Sequence, residues 1–333
     1  MAFHLSSTKV SLPSHAGQLR TNLTTLPNEL LLLISKQTRR QRDLNSFARS
    51  NKRLYALLNP QLYQQDVKYG GCRALWLATL QANIGMAQHS LNAGADVNIV
   101  HWGTHRRTPL LTAVRECCDN WGKKMSSIHR GVDLDKVDVK TWLEKQSNYI
   151  RFLVSRGADI HYKEPGRKDF AFRYAGLRAQ IEVMRILLDA GADPNVSMDA
   201  AEGVRNMGET LAHSLIYRLV YPISSRYKPD YLKALQVLLE YGADLNARDK
   251  RGATPLNWAV DVRDDAEAGI SVEERIKLLI EHGADVNAKD NQGRTPLSIA
   301  LSRKPPHELL VKVLLENGAD ISLRSDEVSG NHG

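Results

Sequence analysis

Apolar residues cluster along this chain in short, dense stretches, each of which stops at the same tripeptide. Leu235-Gln-Val-Leu-Leu239, Ile276-Lys-Leu-Leu-Ile280 and Val311-Lys-Val-Leu-Leu315 all run into Gly-Ala-Asp, which begins at Gly94, Gly157, Gly191, Gly242, Gly283 and Gly318. The intervals are 63, 34, 51, 41 and 35 residues. A second phrase, Thr-Pro-Leu-x-x-Ala, occupies Thr108–Ala113, Thr254–Ala259 and Thr295–Ala300 and always precedes the next Gly-Ala-Asp. Two phrases in fixed order at a near-constant period mark an internal repeat.

Each phrase has a physical reading. Thr before Pro predicts a helix start: the hydroxyl accepts from a first-turn N–H, and Pro at the first helical position sacrifices no hydrogen bond. Leu and Ala then face a core. The apolar stretch before Gly-Ala-Asp is a second helix, which Gly ends in the left-handed conformation. Asp249-Lys-Arg-Gly252 and Asp290-Asn-Gln-Gly293 read as turns leading to the next Thr-Pro-Leu. These residues resemble the ankyrin repeat, whose signature is Thr-Pro-Leu-His-x-Ala at a period of about 33 residues. Thr210-Leu-Ala-His213 reads as a degraded copy, and Arg73–Ala78 and Asp169–Ala175 as weaker ones. Six units follow, over 72–103, 104–165, 166–205, 206–249, 250–290 and 291–324. The excess length falls between the two helices of a unit, at 119–140, 218–230 and 261–271, and is expected to form polar loops on one face of the stack.

Residues 24–65 do not fit the repeat. Leu26, Leu30 and Ile34 recur every four residues and share one face of a helix opened by Pro27 and Glu29. Asp43-Leu44-x-x-Phe47 begins a second amphipathic stretch carrying Leu54, Leu57 and Leu58, with Pro60 as its expected end. About 40 residues rarely bury enough surface to stand alone, so this segment needs something to dock on.

The segment resembles an F-box: Leu-Pro-x-Glu-Leu, then Asp-Leu-x-x-Phe-Ala-x-x-Asn51-Lys52-x-Leu54-Tyr55, then Asn59-Pro60-x-Leu62-Tyr63. With the repeats behind it, the chain is similar to the F-box/ankyrin proteins common in filamentous fungi. That resemblance implies an all-α fold, an ankyrin-repeat solenoid preceded by a small helical F-box. It implies that Leu26, Pro27, Leu30, Ile34, Leu44 and Phe47 serve a Skp-type adaptor of an SCF (cullin–RING) ubiquitin ligase while the repeats hold a protein substrate. The rival reading is a non-degradative scaffold whose F-box-like segment caps the stack.

Composition narrows the choices. The chain has 333 residues, 42% apolar and 25% charged, within the globular range. Residues 1–23 and 325–333 read as disordered ends, with a mitochondrial presequence as the alternative for the first. No apolar run approaches the ~20 residues of a membrane helix. The net charge of +8 is uneven: residues 1–70 hold ten Lys and Arg against three acids, leaving +1 for the other 263. A nucleic-acid surface would spread such charge along its length, so nucleic acid is not the expected partner. The expected setting is the cytosol or nucleus, as a monomer within a hetero-complex.

Catalytic chemistry finds no constellation. Cys72, Cys117 and Cys118 lack zinc spacing, the Cys117-Cys118 pair reads as packing, and no phosphate-cradling Gly-rich loop is present. His213 reads as a structural hydrogen-bonding residue. No cofactor, metal or catalytic residue is expected. Contact residues are sought at the hairpin tips: His101, Trp102, Tyr162, Arg248, Lys250, Arg251, Lys289 and Gln292. Trp102 is the favoured aromatic anchor. Trp258 and Trp76, inside the capping phrase and its weak copy, are expected in the core.

Overall fold

The computed structural model describes residues 26–37, 48, 50, 52–101, 106–128, 139–165, 170–197, 208–220, 230–261, 271–303 and 308–323. These residues form fourteen α-helices, a short 3-10 turn at Ile321–Leu323 and one isolated bridge between Ser197 and Thr210. The chain divides into two compact units, Met1–Ala74 with Asn92–Gly94, and Leu75–Leu91 with Ala95–Gly333.

In the first unit, α1 (Asn28–Gln37) packs on α2 (Lys52–Tyr69). Leu31, Leu54 and Leu58 are fully buried, and Ala48 and Leu58 gather Leu32, Leu57 and Leu62 around them. Arg53 fixes the start of α1 by donating to the Leu26 carbonyl at 3.0 Å and to Asn28 Oδ1 at 2.7 Å. Ser35 Oγ lies within hydrogen-bond distance of Leu32 O, at 2.7 Å, and of the Gln61 side-chain amide, at 2.8 Å. The buried line of α1 is therefore Leu31–Ser35. Leu30, Leu33 and Ile34 face solvent, 46%, 54% and 40% exposed.

One expectation for this segment is corrected. Pro60 does not end the second helix, which continues to Tyr69. An interior proline forfeits one backbone bond and crowds the preceding turn. Pro60 itself is exposed, and burial of Leu54 and Leu58 before it and Asp66 after it holds both halves in place. Asp66, beyond the expected boundary at 65, accepts from the N–H groups of Arg73 and Ala74 at 3.2 and 2.9 Å. Leu44 and Phe47 lie outside the described residues.

Six consecutive helix pairs follow: α3 (Arg73–Gln81) with α4 (Ile84–Asn92), α5 (Pro109–Ile128) with α6 (Val139–Ser155), and α7 (Ala171–Leu177) with α8 (Ile181–Asp189). Then come α9 (Leu211–Val220) with α10 (Tyr231–Glu240), α11 (Pro255–Asp261) with α12 (Val272–Glu281), and α13 (Pro296–Ser302) with α14 (Glu308–Glu316). Their cores are aliphatic: Leu110, Ala113 and Val114 on α5, Leu256, Ala259 and Val260 on α11, Leu297 and Ala300 on α13. Thr295 caps α13 by accepting from Ser298 N–H, with Pro296 in the first turn. Ser271 and Glu274 form a reciprocal capping box on α12.

The long insertion behaves differently from expectation. Residues 119–128 are not a loop but the continuation of α5, which reaches 20 residues against seven in α7, α11 and α13. Apolar residues every three or four positions through Cys118 carry the helix past the point where its neighbours stop. The segments 129–138, 221–229 and 262–270 lie outside the described residues.

The Gly-Ala-Asp tripeptide proves to be a joint. All six glycines have positive φ, from 79° to 98°. The following Ala N–H reaches back five residues, as in Ala284 to Leu279 O at 3.0 Å, which is the Schellman ending of a helix. The Asp carboxylate accepts from the N–H two residues on, in all six copies. The residue at that position then bridges to the next unit. Asn246 donates to Gly283 O at 2.9 Å and accepts from Asp285 N–H at 2.8 Å. Asn98, Asn195 and Asn287 make the same pair of bonds to Gly157 and Asp159, to Gly242 and Asp244, and to Gly318 and Asp320.

The ladder has one interruption. After Gly157 the bridging position is His161, and no side-chain bond from it to Gly191 or Asp193 is present among the described residues. Other polar contacts cross the same seam. Tyr174 donates to Asp119 Oδ1 at 2.6 Å, Arg178 pairs with the same oxygen at 3.4 Å, and Arg151 pairs with Glu182.

Replacing Asn246 by Ala leaves two backbone groups without their partner and is expected to destabilise the chain by about 1–2 kcal/mol. His161→Asn supplies the missing rung and is expected to stabilise it by about 0.5–1 kcal/mol. Urea midpoints of the two variants measure both, and a shift of the same sign for the two would contradict the ladder.

Candidate partner-binding surface

The hairpins between units are built by buried acids. Asp249 N–H donates to Ala253 O, and its Oδ1 accepts from the N–H groups of Arg251 and Ala253, both at 2.8 Å. Asp290 does the same with Gln292 and Arg294, both at 2.9 Å. Both carboxylates are buried and face a guanidinium, Arg251 at 3.3 Å and Arg294 at 2.7 Å.

The two tips are also bonded to each other. Asn291 N–H donates to Arg251 O at 2.8 Å, and its Nδ2 to Lys250 O at 3.0 Å. Arg248 donates to Lys289 O at 2.6 Å and to Gly252 O at 3.3 Å. A Cβ on Gly252 would lie 2.3 Å from Asn291 Oδ1, and its φ is +71°, so only glycine lets the tips approach this closely.

Behind the tips sits an aromatic group. Trp258 Nε1 donates to Asp249 Oδ2 at 3.0 Å. The Arg251 guanidinium lies over the indole at 5.3 Å, and His213 and Tyr217 meet it edge-on at 5.6 and 6.2 Å. Trp258 is half-buried rather than core, because its N–H must reach the hairpin carboxylate. Trp76 is likewise half-buried, edge-on to the His101 ring at 5.0 Å. For Trp258 the cause is that its indole N–H needs a polar partner, which the aliphatic core lacks.

His213 is structural, as its place in the degraded phrase implies. Its Nδ1 lies 2.9 Å from Thr210 Oγ1 and 3.2 Å from Thr210 N, and its Nε2 lies 3.1 Å from Ala253 O. The backbone N–H must donate to Nδ1 and the carbonyl must accept from Nε2–H, so the ring is the neutral Nε2–H tautomer. Burial pushes its pKa below the ordinary histidine value, against a smaller upward pull from the Ala253 hydrogen bond. Asn257, one unit on, does the same work: Oδ1 accepts from Thr254 Oγ1 and N–H, and Nδ2 donates to Ala288 O.

The structure therefore brings Arg248, Lys250, Arg251, Lys289 and Gln292 together on one pair of hairpins. His101 and Tyr162 belong elsewhere. His101 N–H donates to Arg107 O at 3.0 Å, and Tyr162 O–H to Arg106 O at 2.5 Å, so both bind the backbone at Arg106 and Arg107. Trp102 lies outside the described residues. Sequence reasoning missed Tyr217, which belongs to no recurring phrase, and the role of Asn291, which it placed in a turn but whose bonds to the preceding hairpin only the structure reveals.

Charge is also buried at the second hairpin. Glu164, 2% exposed, pairs with Arg107 at 3.1 Å and Arg115 at 3.6 Å. Arg115 and Arg178 lie over the Tyr174 ring, whose phenol is pushed up to about 12, first by burial and next by its bond to Asp119. The Cys117 thiol is pushed up to about 12 by burial, and burial also raises Cys118, so neither is a nucleophile at neutral pH. Among the described residues no group of three His, Cys, Asp or Glu could hold a metal, and no helix is long and apolar enough to cross a membrane.

Comparison with known proteins identifies the repeats. A family profile described as ankyrin repeats (3 copies) matches residues 224–325. Over 172 residues the chain is 25% identical to Palmitoyltransferase AKR1 of Lachancea kluyveri, a match covering 44% of this chain and 23% of that protein. The chain thus spans about a quarter of the length of that curated relative. Among solved structures, an ankyrin repeat domain from Acinetobacter baumannii AYE is 21% identical, covers 74% of this chain and 98% of its own, and superposes with a TM-score of 0.51. The ankyrin repeat domain of Bcl-3 is 25% identical over 75% of this chain and 87% of its own, with a TM-score of 0.48. The fold is an all-α ankyrin-repeat solenoid, a scaffold for binding proteins and typically not a catalyst.

Gly252→Ala is expected to destabilise the chain by more than about 1 kcal/mol, since it adds a backbone strain and a clash with Asn291; a thermal melt checks this. His213 protonates less readily folded than unfolded. Its contribution is complete above about pH 6.5 and is lost as pH falls from there toward the depressed folded pKa. His213→Asn keeps both kinds of hydrogen bond and is expected to flatten that part of the stability–pH curve, read as the urea midpoint at neutral and mildly acid pH.

Proposed function

We propose that this chain is a substrate receptor of an SCF-type ubiquitin ligase. The helical segment at residues 24–65 binds the Skp-type adaptor, and the repeats hold the protein to be modified. The repeats are protein-interaction modules; the ligase role goes beyond them. What supports it is the outward face of α1. Leu30, Leu33 and Ile34 are 40–54% exposed while Leu31 beneath them is fully buried. Exposed leucines on a well-packed helix are costly unless a partner covers them, at about 1.5–3 kcal/mol for each full burial. They sit within the F-box-like phrase, beside half-buried Leu26 and exposed Pro27, and Leu44 and Phe47 complete the set by resemblance.

The mechanism is tethering. The F-box holds the ligase, the repeats hold the substrate, and a separate enzyme transfers ubiquitin. The chain raises effective concentration and performs no bond chemistry. In the alternative, a scaffold whose first segment caps the stack, the adaptor does not bind.

Co-purification of the full chain with the Skp-type adaptor separates the two. Stoichiometric capture is expected, and Leu30→Asp/Ile34→Asp is expected to abolish it while the circular dichroism of the repeats is unchanged. Failure of the intact, folded chain to capture the adaptor rejects the ligase reading.

A further inference from the structure

The paired hairpins at 248–254 and 289–295 carry charge of one sign outward. Their acids, Asp249 and Asp290, are each 6% exposed and spend their charge within the turn, on backbone N–H groups and on Arg251 and Arg294. Arg248, Lys250 and Lys289 are exposed, and none lies within ion-pair distance of a carboxylate among the described residues. Arg248 bonds only carbonyl oxygens, which orient its guanidinium without neutralising it. The backbone bonds from Asn291 to Lys250 and Arg251 hold the cations on one rigid base. Through Arg251 this base adjoins the half-buried indole of Trp258 and the ring of Tyr217, which is 47% exposed.

We propose that this platform docks an acidic, extended segment of a partner polypeptide. Its carboxylates pair with Lys250, Lys289 and Arg248, and an aromatic or large apolar side chain lies against Tyr217 and Trp258. The proposal rests on the reading that the repeats hold a protein, and it names the chemistry of what they hold; it does not depend on the adaptor. The surroundings favour a peptide over a polyphosphate. Asp244 and Asp285 stand exposed in the adjoining turns, so a uniformly charged strand would meet carboxylates within a few residues of the cations. A peptide can place two or three acids opposite the cations and neutral residues elsewhere. Fixed charges of this kind set orientation and discriminate partners by like-charge repulsion.

The test uses the full chain and a fluorescein-labelled peptide of about 12 residues, roughly 40 Å when extended, rich in Glu and Asp around a central Phe. Anisotropy is expected to show saturable binding that weakens with added salt. Lys250→Glu/Lys289→Glu is expected to weaken it at least about tenfold, while circular dichroism shows the repeats still folded, because neither ammonium makes a hydrogen bond in the fold. Tyr217→Ala, or Phe→Ala in the peptide, is expected to weaken it severalfold. The proposal is overturned if the peptide does not saturate, if the double-lysine variant binds as the parent does, or if a deoxythymidine oligonucleotide of equal charge binds as tightly. The double-lysine variant is expected to capture the adaptor normally. Failure of the parent chain to bind the peptide while it captures the adaptor therefore overturns this surface alone, and peptide binding by a parent chain that does not capture the adaptor rejects the ligase reading alone.

Discussion

A primary carboxamide can donate and accept at once, and the repeat array depends on that property. Each bridging asparagine meets a glycine carbonyl and an aspartate N–H of the following unit, two groups that the end of a helix leaves without partners. Glycine frees its carbonyl by turning left-handed. Aspartate presents its N–H because its carboxylate folds forward onto the backbone two residues on. The tripeptide and the asparagine that follows are thus one device: every residue exists to offer or satisfy a backbone group at the seam. Aliphatic burial drives the helices together without specifying their register; the carboxamide specifies it.

Much of this was readable before any coordinates. The six glycines announced the helix ends, and Thr-Pro-Leu announced the starts, because both phrases are local instructions to the backbone. What escaped was non-local. Trp258 looked like core because its phrase is a core phrase, yet its N–H is drawn out to Asp249 nine residues earlier in the chain. The stretch after Cys118 looked like a loop because it is polar, yet α5 runs through it. Pro60 looked like a stop because proline usually is one, and burial on both sides overruled it. Of the candidate contacts, Arg248, Lys250, Arg251, Lys289 and Gln292 fell together because two consecutive turns share one design. His101 and Tyr162 were spent on the backbone at Arg106 and Arg107.

Two ways of using charge coexist in the fold. In the hairpins at Asp249 and Asp290 the carboxylate is buried and saturated by N–H groups, so it acts as a backbone organiser and leaves the visible charge to its neighbours. At the seam beside His161, Asp119 instead serves Tyr174 and Arg178, and the contact is ionic. Exposed ion pairs are individually weak and screened by salt, whereas the amide rungs are not. The joint at His161 therefore lacks the salt-insensitive rung that the joints at Asn98, Asn195, Asn246 and Asn287 carry.

The ladder also bears on how such a chain can change over generations. Each rung reads only the unit next to it and asks of that unit the same two atoms. The unit bearing Asn195 would meet Gly283 on the same terms as Gly242, and duplication or loss of a whole unit there leaves no orphaned rung of the ladder. His161 and Ser322 break that interchangeability. A unit ending in either cannot present the carboxamide that a newcomer would need, so Asn195, Asn246 and Asn287 mark the stretch in which units can be gained or shed without redesign.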